Sequence, residues 1–279
     1  MKRPRLLRGL AFSLLSLLAA PGLLGAGLPV SLVTRAGRPS STAAGDSLLP
    51  LMSGDGRFVA FQSGAANLVT NDPNRSVVDV FVREIATGAT RLVSVNTNGT
   101  SGNGPSELAG ISRDGRRVLF VSDATDLVPG DDNEATDVFV RDWESGTTLL
   151  VSANTNGVSA SGDSSGPRMT PDGRFVVFES DAADLVARDI NQLSDVFLRD
   201  LANGTTRRIS VPSPTTSIAG RAAGDSYDGQ VSDDGTTVLF RSGALNLTPP
   251  IPAGGQSLTN ELYFLRSPAA TNRMVDVFG

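Results

Sequence analysis

One dipeptide, Asp-Gly, recurs in a single register along this chain and sets the limits on its fold. It stands at Asp55-Gly56, Asp114-Gly115, Asp172-Gly173 and Asp234-Gly235, in steps of 59, 58 and 62 residues. A Ser or Thr precedes each by two positions (Ser53, Ser112, Thr170, Ser232). Eight residues before that Ser or Thr stands Gly45, Gly104, Gly162 or Gly224, and two residues after this Gly comes Ser47, Ser106, Ser164 or Ser226. Four copies in one register mark a repeat architecture, in which each unit buries its faces against its neighbours.

Each copy predicts four strands. The first runs into Asp-Gly, as in Glu107 to Ser112 or Gly166 to Thr170, and Asp-Gly between apolar runs is a hairpin signal because Gly accepts the positive φ of a tight turn. The second strand is RFVAFQS (57–63), RRVLFVS (116–122), RFVVFES (174–180) and TTVLFRS (236–242). It is apolar on both faces, with Phe175 and Val177 opposed to Val176 and Phe178, so it lies between two other layers. The third strand is DVFVRE, DVFVRD, DVFLRD and ELYFLRS. After a Gly turn at Gly88, Gly146 or Gly204 come the fourth strands TRLVSV, TLLVSA and TRRISV. No helical periodicity interrupts this pattern. The fold expected is an all-β propeller of about four four-stranded antiparallel blades, with repeats over 45–103, 104–161, 162–223 and 224–279. A β-sandwich is the alternative, but it would not require the same loop chemistry at a fixed period.

The segment TPDGRFVVFES (170–180) and its sisters carry a family resemblance. They resemble the WD40-like, TolB-type propeller repeat, with its S/T-P-D-G-x-x-[IV]-[AV]-F-x-S signature, over about residues 31 to 266. The resemblance implies a β-propeller used for binding or scaffolding outside the cytoplasm. Two departures stand out: Pro171 is the only Pro before an Asp-Gly, and the fourth copy has lost much of its middle.

The N-terminus agrees with that location. Lys2, Arg3, Arg5 and Arg8 precede an apolar run from Leu10 to Ala20, and small residues follow. This reads as a secretory signal peptide over residues 1–27, cleaved between about 20 and 27 and preceding a single domain over 28–279. An uncleaved anchor is the alternative, although the run is short for a membrane span. The protein is therefore expected to be secreted or periplasmic, with no membrane insertion after cleavage. It contains no Cys, so burial must supply its stability without disulfides. Its net charge of −5 argues against nucleic-acid partners. Loss of the four basic leader residues makes it about −9, by counting charged side chains. Two segments compete to complete the last blade: the outer strand expected at the start of the segment 31–47, and Arg273 to Phe278.

GDSSGP (162–167) resembles the nucleophile motif of trypsin-like proteases, but the chain has no His, so a Ser-His-Asp relay is excluded. The same Gly-x-Ser frame recurs in every copy, which makes it structural. The loops before the third strands carry Asp72, Asn74 and Asp79, then Asp131, Asn133 and Asp137, then Asp189, Asn191 and Asp195. These hard oxygen donors suit calcium, the only cofactor the sequence suggests, yet the EF-hand pattern is incomplete. The alternative is that these side chains fold their own loops. Arg83, Arg141, Arg199 and Arg266 close the third strands and are expected to pair with a nearby Asp, such as that of the Asp-Gly turn.

On the first strands, residues differ between copies: Leu48, Glu107, Ser165 and Tyr227 at one register, and Leu51, Gly110, Arg168 and Gln230 three residues on. The channel-lining set expected for a ligand is Glu107, Arg168, Tyr227, Asp228 and Gln230. The function expected is a non-catalytic extracytoplasmic propeller binding a protein or peptide. The alternatives are a propeller lyase or glycan hydrolase using Glu107 and Asp228 as paired carboxylates, or a fragment of a longer propeller.

Overall fold

The Asp-Gly turns do what their chemistry predicts. In the computed structural model, Gly56, Gly115, Gly173 and Gly235 have φ of 72°, 76°, 72° and 69°. The preceding hydroxyl closes each turn. Ser112 Oγ donates to Asp114 Oδ1 at 2.6 Å and accepts from the Arg117 N–H at 2.9 Å, and the other three turns repeat this pattern. The structure describes residues 43–212 apart from 75, 188 and 190, residues 224–247 apart from 245, and residues 261–266 and 273–274. Contacts divide the chain into two units, Met1–Leu32 and Val33–Gly279, and all described residues belong to the second. Residues 1–27, expected to be a signal peptide, lie outside them.

Four antiparallel sheets of four strands follow one another along the chain. Blade 1 is β1 (Ser47–Met52), β2 (Phe58–Ser63), β3 (Asp79–Glu84) and β4 (Thr90–Leu92). Blade 2 is β5 (Ser106–Ile111), β6 (Arg117–Ser122), β7 (Asp137–Asp142) and β8 (Thr147–Leu150). Blade 3 is β9 (Ser164–Met169), β10 (Phe175–Ser180), β11 (Asp195–Asp200) and β12 (Thr205–Arg208). Blade 4 is β13 (Ser226–Val231), β14 (Thr237–Ser242), β15 (Glu261–Arg266) and β16 (Arg273–Met274). The first strands begin earlier than the apolar pattern suggests, at the Ser of Gly-x-Ser. That Ser bonds across the sheet to the Ser ending the second strand, as in Ser164 Oγ to Ser180 Oγ at 3.0 Å. The GDSSGP serine is thus a buried rung of a ladder. Of the two segments competing for the last outer strand, Arg273–Met274 takes the place, pairing with Tyr263 and Phe264; residues 31–38 lie outside the described set.

The core sits within and between the blades. The second strands of blades 1 to 3 are buried on both faces, whereas one face of β14 (Thr237, Leu239, Arg241) is partly exposed, and every blade stacks one aromatic pair across its second and third strands. Phe61–Phe81, Phe120–Phe139, Phe178–Phe197 and Phe240–Tyr263 have ring centroids 5.6 to 5.7 Å apart. Apolar clusters then join blade 1 to blade 2, 2 to 3 and 3 to 4. Backbone bonds cross the same joints: Ser106 N–H to Val78 O, Ser164 N–H to Thr136 O and Ser226 N–H to Ser194 O, each 2.8 Å. Among the described residues no comparable packing joins blade 4 to blade 1. No helix among the described residues is long and apolar enough to cross a membrane.

The third-strand arginines depart from expectation. Arg83, Arg141 and Arg199 each donate Nη1 to a Thr on the fourth strand at 2.8 Å, and the salt bridges to carboxylates around the Asp-Gly turns involve neither Arg141 nor Arg199. Burial lowers the pKa of Arg141 and Arg199. The ion pairs belong instead to the exposed arginines after the turn, Arg116 with Asp142 and Arg174 with Asp200. The third-strand Arg projects across its own ladder toward the fourth strand, so the Thr is its nearer partner. The Arg266 side chain lies outside the described set.

Candidate functional site

Two regions hold the residues singled out by sequence. The first is the loop before each third strand. Asp79, Asp137 and Asp195 open β3, β7 and β11 fully buried. Oδ1 of each accepts a serine hydroxyl, from Ser94, Ser152 or Ser210. Oδ2 accepts the amide N–H of Asn74, Asn133 or Asn191, each at 2.9 Å. Beside them lie Asp72, Asp131 and Asp189, only 7%, 6% and 5% exposed. Each predicted triplet therefore meets in space. The donor set is two carboxylates completed by amide and hydroxyl oxygens; no three of His, Cys, Asp and Glu converge among the described residues.

Burial dominates the electrostatics here. Asp79 is pushed up to about 6, by desolvation first, against the hydrogen bonds from Ser94 and Asn74. Asp131 is pushed up to about 7 by desolvation and then by the Asp137 charge. Asp189 and Asp195 are also raised by burial, opposed by Arg208.

The second region is the solvent-facing side of the first strands. Glu107 and Arg168 line one cleft of about 330 Å³ between β5 and β9, together with Leu108, Val121 and Pro167. Tyr227, Asp228 and Gln230 stand on β13 and do not line it. The Asp228 carboxylate lies 3.4 Å from Arg241 Nη1, and the Arg241 guanidinium sits 5.5 Å from the centre of the Tyr227 ring. The structure therefore divides the expected channel set in two. Glu107 and Asp228, the carboxylates considered for acid–base work, do not share a cleft.

A residue that sequence reasoning missed is Glu179 on β10. Its Oε1 accepts the Asp228 N–H at 2.6 Å across the joint between blades 3 and 4. Its pKa is raised by burial first, with the Asp228 charge adding to it. Gln62 does the same for the Leu108 N–H at 3.0 Å between blades 1 and 2. The signal was present: this position on the second strand reads Gln62, Val121, Glu179 and Arg241, varying between a Phe and a Ser that recur in all four copies. A bulge frees the N–H at Asp228, whose φ is +57°; Leu49 (+49°) and Gly166 (+58°) take the same conformation.

No family model matches the chain, and no curated protein matches it. Among solved structures it is similar to TolB from Acinetobacter baumannii, with 15% identity, a TM-score of 0.41, and coverage of 84% of this chain and 44% of that one. It is similar to a putative TolB from Agrobacterium tumefaciens, with 15% identity, a TM-score of 0.43, and coverage of 84% and 82%. A puromycin-hydrolyzing peptidase from Mycobacterium tuberculosis shows 14% identity, a TM-score of 0.46, and coverage of 84% and 29%. The chain spans less than half of the Acinetobacter TolB chain that it matches. Its four successive four-stranded sheets are propeller blades on their own geometry, and TolB proteins stand among the structures it resembles.

Proposed function

We propose that this chain is a non-catalytic, extracytoplasmic propeller scaffold that binds a protein or peptide along its first strands. One observation carries the reading: framework and variable positions separate by burial. Away from the exposed Asp-Gly turns, side chains that recur in every copy are largely buried and bonded to one another, such as the Ser pairs of blades 2 to 4 and the stacked aromatics. The positions that vary, Leu48, Glu107, Ser165 and Tyr227 with Leu51, Gly110, Arg168 and Gln230, are exposed or half-exposed without exception. A scaffold that holds its frame constant while varying its surface is built for recognition. The cleft between β5 and β9 offers a carboxylate, a guanidinium and apolar walls, a mixture that suits a peptide better than a sugar. The leader supports a place outside the cytoplasm.

Peptides selected from a random display library on the full chain test this reading. A Glu107→Ala/Arg168→Ala variant with an unchanged melting temperature should bind the selected peptides at least about tenfold more weakly. Undiminished affinity in that variant would sink the proposal, as would cleavage of the bound peptides.

A further inference from the structure

Three equivalent loops bring the same pair of carboxylates together, and among the described residues only one of them carries a counter-charge. In blade 3, Arg208 Nη1 lies 2.8 Å from Asp189 Oδ1 and 3.5 Å from Asp195 Oδ2. The side chains of Arg208, Asp189 and Asp195 are 8%, 3% and 0% exposed. The ladder shows what stands there in the other blades. Arg83 pairs with Thr90, Arg141 with Thr148 and Arg199 with Thr206. Two residues past those threonines stand Leu92, Leu150 and Arg208. Blades 1 and 2 therefore present a leucine where blade 3 presents a guanidinium.

The carboxylates of blades 1 and 2 show the consequence. Asp72 Oδ1 and Asp131 Oδ1, the counterparts of the oxygen that Arg208 holds in blade 3, are buried without a hydrogen-bond donor. In blade 1, Asn74 Oδ1 is also buried and unpartnered, and the Ser101 hydroxyl stands beside the Asp72 carboxylate. Every one of these orphans is an oxygen. A buried carboxylate pair with no compensating charge is strongly disfavoured, and leftover hard oxygens are what a calcium-class ion takes as ligands.

We propose that the loops of blades 1 and 2 each bind a divalent cation of the calcium class, and that Arg208 is the built-in cation replacing it in blade 3. Asp72, Asn74, Asp79 and Ser101 hold the first ion, and Asp131, Asn133 and Asp137 hold the second. The shell of six to eight oxygens that calcium accepts leaves room for backbone carbonyls and water around these donors. The inference is independent of the peptide-binding reading, since these buried loops are separate from the solvent-facing cleft.

Calorimetric titration of the chelator-treated full chain with calcium chloride tests it, with thermal melts alongside. The expected result is binding with a rise in melting temperature. Asp72→Asn and Asp131→Asn should each remove one ion per chain. Leu150→Arg converts the blade 2 loop to the blade 3 arrangement and should likewise remove one ion while leaving the melt calcium-responsive through blade 1. Should Leu150→Arg fail to fold, the two conservative Asn variants decide. Absence of binding up to about 10 mM calcium, beyond the range of weak extracellular modules, overturns the proposal. So does an unchanged stoichiometry in both Asn variants.

Discussion

At the scale of the residue, the turn glycines carry two separate demands. Gly99 has a φ of +84° with open space where a Cβ would stand. Gly115 has a φ of +76°, and a Cβ there would lie 2.3 Å from Phe58 Cδ2 in the neighbouring blade. Left-handed geometry alone costs a non-glycine residue about 1 to 2 kcal/mol, so Gly99→Ala should lose about that much in urea unfolding. Gly115→Ala should lose about 1 to 3 kcal/mol more, the range for overpacking a filled core. Equal losses in the two variants would show that the Gly115 contact is absent. Asp-Gly is thus more than a hairpin signal: it also leaves the space into which the preceding blade's Phe58 packs. The sequence showed the need for positive φ, because that need is local. The contact with Phe58 spans 57 positions and emerged only when the blades stacked.

At the scale of the element, each blade is a four-strand ladder, and in blades 2 and 3 an ion pair ties the start of the second strand to the end of the third. Arg174, just before β10, holds Asp200 at the end of β11 with Nη2 to Oδ2 at 2.8 Å. That hydrogen bond is the main reason the Asp200 carboxyl is lowered from 3.8 to about 2. A folded-state pKa below the unfolded value means the pair adds stability above the unfolded pKa and loses it as pH falls through the folded one. Arg174 is 44% exposed, so solvent screening keeps the contribution of the pair small. Asp200→Asn should therefore be slightly less stable than the parent at pH 7. The gap should close as the pH falls from about 4 to about 2 in guanidinium titrations done at each pH. A gap that stays constant over that interval would assign the loss to something other than this charge. Strand order, the doubly buried second strand and the turn positions were legible in the alternation of apolar residues. The partner of each arginine was not, because Arg141 and Arg116 look alike in sequence, and only the ladder register sends the first to Thr148 and the second to Asp142.

At the scale of the whole molecule, stability should grade along the stack. Blades 2 and 3 are covered on both sides by neighbouring blades, while β1 exposes Leu48, Leu49, Leu51 and Met52. In a linear array, each unit draws stability from its nearest-neighbour interfaces. Amide hydrogen exchange should therefore be faster in β1 than in β5 under native conditions, even though both strands pair with one neighbour in their own sheets. Equal protection would mean that something covers β1 as fully as blade 1 covers β5.

The candidate loops show how far local pattern carries. Asp72, Asp131 and Asp189 stand out in sequence as equivalent repeats of one motif, and the structure places each beside the Asp that opens the next strand. By itself the sequence determined the period, the four-strand unit, the turns and the list of oxygen donors, because all of these arise from interactions within a few residues or from regular alternation. Tertiary structure alone decided which donors are buried, which oxygens remain unpartnered, and that Arg208, 13 positions past Asp195, answers in blade 3 a charge left open among the described residues of blades 1 and 2. Burial and pairing depend on which strands meet across the sheet, and charge becomes costly only once water has been excluded.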